Sequence, residues 1–407
     1  MSDCYISRTG VHLVTAVCFK EFDMRNIFLA AVGAISLLVP AAGHAQVKVG
    51  ILISLTGPAA SLGIAEKNAV ALMDKEIGGK VVEYVILDDA SDTTTARRLV
   101  EKLSSEDKVD IILGGTTTPA SLAMVEVVGR SKLPFISMSA GRHIVTPMDE
   151  NKRWVFKAVY NDTIIAALTA RHMFGSGIKT VAVISFNDAY GESWTQEFTK
   201  ASEQAGLKIV ANEKYNRTDT SVTAQALKVL SAKADAVLVA AAGTPATLPQ
   251  TTLVERGYKG KIYQTMGAVG ADFLRVGGAK VEGTLVAVPP MVVAESLAES
   301  NPVRGIGVDF KTRYEKLNGA GSVSAFAGYS WDSFMLGKAA IEKALAKGAP
   351  GSQEFRDAVR SALETNVAVP TTAGIVNMTS DDHCAFAQDA PVVAEVKGGK
   401  LTLPGPR

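Results

Sequence analysis

Three cysteines are all that the chain contains, and two of them, Cys4 and Cys18, stand within its first 45 residues. Cys384 is then alone, so no internal disulfide can hold the rest together and the fold must rest on its core. Cys18 follows Thr15, Ala16 and Val17, without the leucine or the apolar run of a lipid-attachment site. Neither sign of charge prevails: 42 Lys and Arg stand against 41 Asp and Glu. No basic stripe or acidic tail stands out, which leaves a nucleic-acid partner without electrostatic support. The uncharged run 27–39 is shorter than the about 20 apolar residues that span a bilayer. Catalytic signatures are missing as well. There is no Walker loop, no HExxH, no GxSxG and no strand-linked GxGxxG. Ser105 and Lys108 match an SxxK spacing, but no companion motif follows. His143 and His172 are isolated. In Asp381-Asp382-His383-Cys384, hard carboxylates and a soft thiol crowd consecutive positions, which suits a solvated turn better than one metal ion. Neither metal, cofactor nor enzymatic activity is expected.

What is present starts with bulk: 407 residues, 47% of them hydrophobic, suffice for two domains with real cores. Met24-Arg25-Asn26 is a short positive region, the apolar run 27–39 follows, and Pro40 breaks it. Gly43 and Ala45 put small residues at the two positions that a signal peptidase reads. Residues 1–45 are therefore expected to be an export segment ending at Ala45, with Met24 as an alternative start. The mature chain would begin at Gln46, in the periplasm.

From there short apolar runs alternate with amphipathic stretches. The spacing predicts strands over 47–55, 81–87, 109–113 and 135–138, separated by helices over 64–76, 93–103 and 120–130. Asp92 or Thr93 is a fitting N-cap, and Pro119 sits near the first helical position, where its missing N–H costs nothing. The rhythm restarts with helices over 163–174, 191–205, 222–233 and 244–256 and strands over 180–185, 207–211, 236–242 and 261–264. Two long helices follow over 324–347 and 352–364. Such alternation predicts α/β architecture, two doubly wound lobes with parallel sheets. No repeat, low-complexity tract or proline-rich linker separates them, so several tight crossings between lobes are expected.

Ordered motifs carry a resemblance. They include Leu55-Thr56-Gly57-Pro58 with Gly63 shortly after, Gly78-Gly79, Asp88-Asp89-Ala90-Ser91-Asp92 and Lys108-Val109-Asp110. Further along come the run from Gly114 to Ser121, Asp188-Ala189-Tyr190-Gly191-Glu192 and Gly328-Tyr329-Ser330-Trp331-Asp332. Together they resemble the type I periplasmic binding proteins of the leucine/isoleucine/valine-binding kind, over nearly all of the mature chain. The resemblance implies two lobes joined by three crossovers, with ligand held in the cleft. Lobe 1 would comprise 46–160 plus 289–369, and lobe 2 would comprise 161–288 plus 370–407. It also implies the ABC importer's membrane permease and its ATPase subunits as partners, and a monomer. A sensory receptor or a cytoplasmic regulator is the alternative on the same architecture.

Physics points to the same places, because doubly wound sheets bind ligands beyond the carboxyl ends of their strands, at helix N-termini that favour anions. Thr116 and Thr117 stand at such a strand end, although capping the next helix is their simpler role. Ser139, Ala140 and Gly141 follow the fourth strand, in the loop with which the family holds a ligand carboxylate. Tyr190 aligns with a family tyrosine that packs across the cleft. Phe326 and Tyr329 are weaker candidates, since helical spacing makes them core residues first. One departure stands out. Amino-acid-binding members pair an acidic residue with the ligand's ammonium, and Met266 occupies that position here. Leu62 and Gly243 fall where the family has aromatic residues. The expected ligand is thus a small carboxylate without an ammonium group, aromatic or branched aliphatic, with a branched-chain amino acid as the runner-up.

Overall fold

A computed structural model of the protein describes residues 46–365 and 368–404. The expected export segment, 1–45, lies outside the described residues. The chain opens with β1 (Val47–Ile53), α1 (Ala60–Val70), β2 (Glu76–Ile77), β3 (Lys80–Asp88), α2 (Thr93–Ser105), β4 (Ile111–Gly114), α3 (Thr118–Arg130), β5 (Phe135–Ser137) and β6 (Val155–Lys157). It continues with α4 (Asp162–Gly175), β7 (Thr180–Phe186), α5 (Ala189–Ala205), β8 (Lys208–Tyr215), α6 (Thr223–Ser231), β9 (Ala236–Ala240), α7 (Thr247–Glu255), β10 (Lys261–Gln264), α8 (Ala271–Gly277) and β11 (Leu285–Val288). Last come α9 (Arg304–Asn318), α10 (Ala325–Ala344), α11 (Gln353–Leu363), β12 (Val369–Pro370), β13 (Ile375–Val376), β14 (Val392–Lys397) and β15 (Lys400–Thr402).

Two mixed sheets, mainly parallel, carry the core. The first has the order β2-β3-β1-β4-β5-β6, the second β15-β14-β11-β10-β9-β7-β8. Every residue of β4 and of β9 is buried, as in strands covered by helices on both faces, which is why these runs are apolar without alternation. In each sheet the strand order reverses once. β1 lies between β3 and β4, and β7 lies between β8 and β9, all in parallel register. Those reversals open a crevice beyond the strand ends. They place the loops after β1, β4 and β5 in one lobe, and those after β7, β9 and β10 in the other, where a ligand would sit.

The chain passes between the sheets after β6, after β11 and after β13. The third passage is anchored on α10, where buried Asp332 accepts hydrogen bonds from the Thr372 N–H at 2.7 Å, the Thr372 hydroxyl at 2.9 Å and the Ala373 N–H at 3.1 Å. The Tyr160 hydroxyl, in the first passage, donates to the Ala373 carbonyl. His383 stacks on Phe156 with ring centroids 4.0 Å apart, and the Cys384 thiol donates to the Val159 carbonyl at 3.3 Å. The stretch read as a solvated turn is therefore divided. Asp381 and Asp382 are exposed, while His383 and Cys384 are buried among the crossing segments.

The helix expected over 64–76 starts earlier and stops at Val70. Gly63 permits the early start: a Cβ there would lie 2.0 Å from the Ser54 carbonyl oxygen, so the helix runs hard against the end of β1. Gly78 and Gly79 lie between β2 and β3. They form the two-residue turn of the β2–β3 hairpin, both with positive φ (55° and 75°), the conformation that a type I′ turn demands and glycine supplies. Among the described residues no helix is long and apolar enough to cross a membrane.

Candidate functional site

A cavity of about 360 Å³, open solvent included, lies between the two sets of loops. Leu62, Thr116, Thr117, Ser139, Ala140, Tyr190 and Met266 all line it, as do Phe326 and Tyr329. Gly141 and Gly243 do not.

On the first lobe the wall is the start of α3 and the loops beside it. The Thr116 hydroxyl donates to Glu66 Oε2 at 2.5 Å and accepts from the Ser54 N–H at 2.9 Å. It thereby ties β1 to β4 and offers the cavity little beyond its methyl group and backbone. Burial pushes the Glu66 carboxyl well above the usual range, the Thr116 hydrogen bond pulls it down, and the Asp89 charge adds to the rise. Thr117 is the N-cap of α3, its Oγ1 accepting from the Ala120 N–H at 3.3 Å. Its own hydroxyl hydrogen remains to be donated, so capping and lining are compatible. Thr118 also lines the cavity, and its hydroxyl is buried without any partner.

The loop after β5 is drawn onto this helix start. Ser139 Oγ donates to the Gly115 carbonyl at 2.8 Å. Gly141 sits just outside the lining, where a Cβ would lie 2.4 Å from Thr118 Cγ2; its bareness leaves Thr118 its place. Behind the loop, fully buried Lys157 donates to the Ala140 carbonyl at 2.5 Å and to Asn161 Oδ1 at 2.6 Å. Burial lowers its pKa, against the opposing pull of Cys384 and Asp162.

The second lobe supplies the opposite wall. Asp188 caps α5, with Oδ1 accepting from the N–H groups of Tyr190 and Gly191 at 2.9 and 3.1 Å. Tyr190 donates its hydroxyl hydrogen to Thr265 Oγ1 at 2.8 Å, and Thr265 donates onward to the Ala241 carbonyl at 2.7 Å. That hydroxyl is therefore engaged, and the ring is what Tyr190 presents. Met266 follows β10, and the Tyr329 hydroxyl donates to its Sδ at 3.2 Å. Gly243 packs at the cavity's edge instead of leaving room in it: a Cβ there would meet Ser61 Oγ at 3.0 Å and Leu62 Cδ2 at 3.3 Å.

Sequence reasoning missed Arg217. It lines the cavity, its Nε donates to Asp188 Oδ2 at 2.6 Å, and its guanidinium lies 4.1 Å from the centre of the Phe186 ring. The strand-end rule would have found it had β8 been followed to Tyr215 instead of 211. Met138, Val159, Ala242 and Gly267 complete the lining; none of the lining side chains is a carboxylate.

This chain matches the family described as periplasmic binding protein over residues 46–400. A Leu/Ile/Val-binding protein of Rhizobium johnstonii is 24% identical over 358 residues, 86% of this chain and 91% of that one. The crystal structure of an extracellular ligand-binding receptor from Rhodopseudomonas palustris HaA2 is similar at 39% identity with a TM-score of 0.86, over 88% of this chain and all of that one. A solute binding protein of an ABC transporter from Rhodopseudomonas palustris BisB5, solved in complex with 3,4-dihydroxy benzoic acid, shares the fold. It is 22% identical with a TM-score of 0.74, over 88% of this chain and 95% of that one.

Proposed function

Because this chain belongs to the periplasmic binding protein family, we propose that it is the extracytoplasmic binding component of an ABC importer for a small carboxylate without an ammonium group. The observation that carries the reading is the make-up of the cavity wall. Threonine hydroxyls gather at a helix N-terminus on one side, and Met266 stands opposite, with no carboxylate among the lining side chains. An anion is favoured at such a helix start. A buried ammonium without a counter-charge would cost on the order of several kcal/mol, more than the apolar contacts of one side chain could offset. Phe326, Tyr329 and the Tyr190 ring offer flat apolar walls, and Met266 an adaptable one, so an aromatic or branched aliphatic acid is the favoured body. The 3,4-dihydroxy benzoic acid in the BisB5 protein is in keeping with that preference.

The proposed mechanism is hinge closure. Ligand docks on the first lobe at Thr117 and Thr118, with Ser139 holding the adjoining loop, the second lobe closes with Tyr190 and Met266, and the closed form is what the permease recognises. The lobes that move are 46–160 plus 289–369 against 161–288 plus 370–407. Export would remove 1–45. A branched-chain amino acid is the competing ligand, supported by the name of the Rhizobium relative. A thermal-shift screen of amino acids against aromatic and aliphatic acids tests the reading. A true ligand at about 100 times its Kd adds about 2.7 kcal/mol of stability. A shift with leucine alone would overturn the acid reading.

A further inference from the structure

Arg217 stands two residues past the end of β8, in the cavity wall of the second lobe. Two contacts fix its guanidinium. Nε donates to Asp188 Oδ2 at 2.6 Å, and the plane rests on the Phe186 ring. Asp188 is itself immobilised, because its other oxygen caps α5. Among the nitrogens these contacts leave over, Nη1 is buried and has no hydrogen-bond partner. An arginine cannot shed the proton of an unused N–H, and a buried donor left unmet is destabilising. Across the cavity the Thr118 hydroxyl, 2% exposed as a residue, is equally unmet beside the start of α3. Arg217 and Thr118, one from each lobe, thus line the same cavity, and each carries a buried polar atom without a partner. Leu62, Phe326 and Met266, which also line it, are apolar or nearly so.

We propose that the cavity reads both ends of its ligand: the carboxylate at Thr117 and Thr118, and a second oxygen acceptor at the far end of the molecule on Arg217 Nη1. This deepens the acid reading above and rests on it. Asp188 already balances the charge of Arg217, so the second group need not be an anion. A hydroxyl oxygen opposite the carboxylate is enough. An acid that lacks it would close the lobes over a dry, unpaired donor, and sites built to bond a hydroxyl reject analogues without one. Arg217 is then a specificity-determining residue.

Calorimetry on the full chain with benzoate and 4-hydroxybenzoate tests this. The wild type should bind 4-hydroxybenzoate at least about tenfold more tightly, the scale of one hydrogen bond to a charged donor. Arg217→Met should weaken 4-hydroxybenzoate about tenfold more than benzoate, erasing the preference. Arg217→Lys, which keeps a charge for Asp188 but not the planar fork, should erase it too. Unfolding curves of the ligand-free variants separate this from damaged folding. Equal wild-type affinities, a preference for benzoate, or a preference that survives in Arg217→Met would each overturn the proposal while leaving the acid reading intact. So would an equal loss of both ligands, which would put the carboxylate itself on Arg217. If neither acid binds, the acid reading falls and this proposal with it.

Discussion

The Tyr329 hydroxyl donates to Met266 Sδ across 3.2 Å, joining α10 to the loop after β10 over the cavity. Thioether sulfur is a weak acceptor, so this is a neutral, easily exchanged contact in the wall of the cavity. Met266→Glu should therefore weaken benzoate binding at least tenfold, about 1.4 kcal/mol, by bringing a second negative charge into a dry site. Calorimetry at neutral pH, with circular dichroism to verify folding, reads the change. An unaltered affinity would remove Met266 from the ligand wall.

Gly141 tests the first lobe without touching the ligand. Its φ of −50° is open to any residue, so Gly141→Ala isolates the clash of the new Cβ with Thr118 Cγ2. Affinity for benzoate should fall about tenfold, the cost of displacing one well-placed hydrogen-bonding group. Stability in urea should fall by about 1–3 kcal/mol, as overpacking does. Loss of stability without loss of affinity would remove Thr118 from the carboxylate site.

Stability should depend on pH through Asp332. Burial pushes its carboxyl up to about 7, despite hydrogen bonds from Thr372, Ala373 and Thr371 that lower it, whereas an unfolded aspartate ionises near about 3.9. A raised folded-state pKa means that the stabilisation is complete below about pH 4 and is lost as pH rises through about 7. Asp332→Asn should be less stable than the wild type at pH 5, since an amide replaces one acceptor with a donor. Its stability should also change less between pH 5 and pH 8. Urea midpoints at the two pH values measure both effects; parallel curves would mean that Asp332 is ionised in the fold.

Arg142, in the loop after β5, meets Glu197 on α5, with 2.9 Å between Nη1 and Oε1. Arg142 is mostly shielded and Glu197 almost wholly so, so the pair should contribute about 1 kcal/mol to the closed form, the upper end for partly exposed pairs. Arg142→Ala should lower ligand affinity about fivefold and enlarge the radius of gyration of the ligand-free protein in small-angle scattering. Unchanged values would show that the lobes meet without help from this pair.

Much of this site was legible because strand ends and helix starts were. The apolar runs of β4 and β9 are continuous, as doubly covered strands are, and once the strands are placed the strand-end rule leads to Thr116, Thr117, Ser139 and Ala140, whereas Tyr190 and Met266 come from the family resemblance. Arg217 was hidden for the converse reason. β8 is an edge strand whose later residues, Asn212, Glu213 and Lys214, are polar and partly exposed, so it reads as a loop from 212 onward. The same holds for β14 and β15, which extend the same sheet antiparallel at its opposite edge. α9 escaped because it buries only Gly307, Phe310 and Tyr314, too thin a stripe to stand out. The hydroxyl partners could not be read at all. That Thr116 serves Glu66 and Tyr190 serves Thr265 follows from three-dimensional neighbours far apart in the chain.

The central claim is that the cleft takes a carboxylate and refuses an ammonium. Titration calorimetry of the protein against benzoate and against leucine, at equal protein concentration and neutral pH, tests it most directly. The account predicts saturable heat with benzoate and little or none with leucine over the same range. Micromolar or tighter binding of leucine would contradict it.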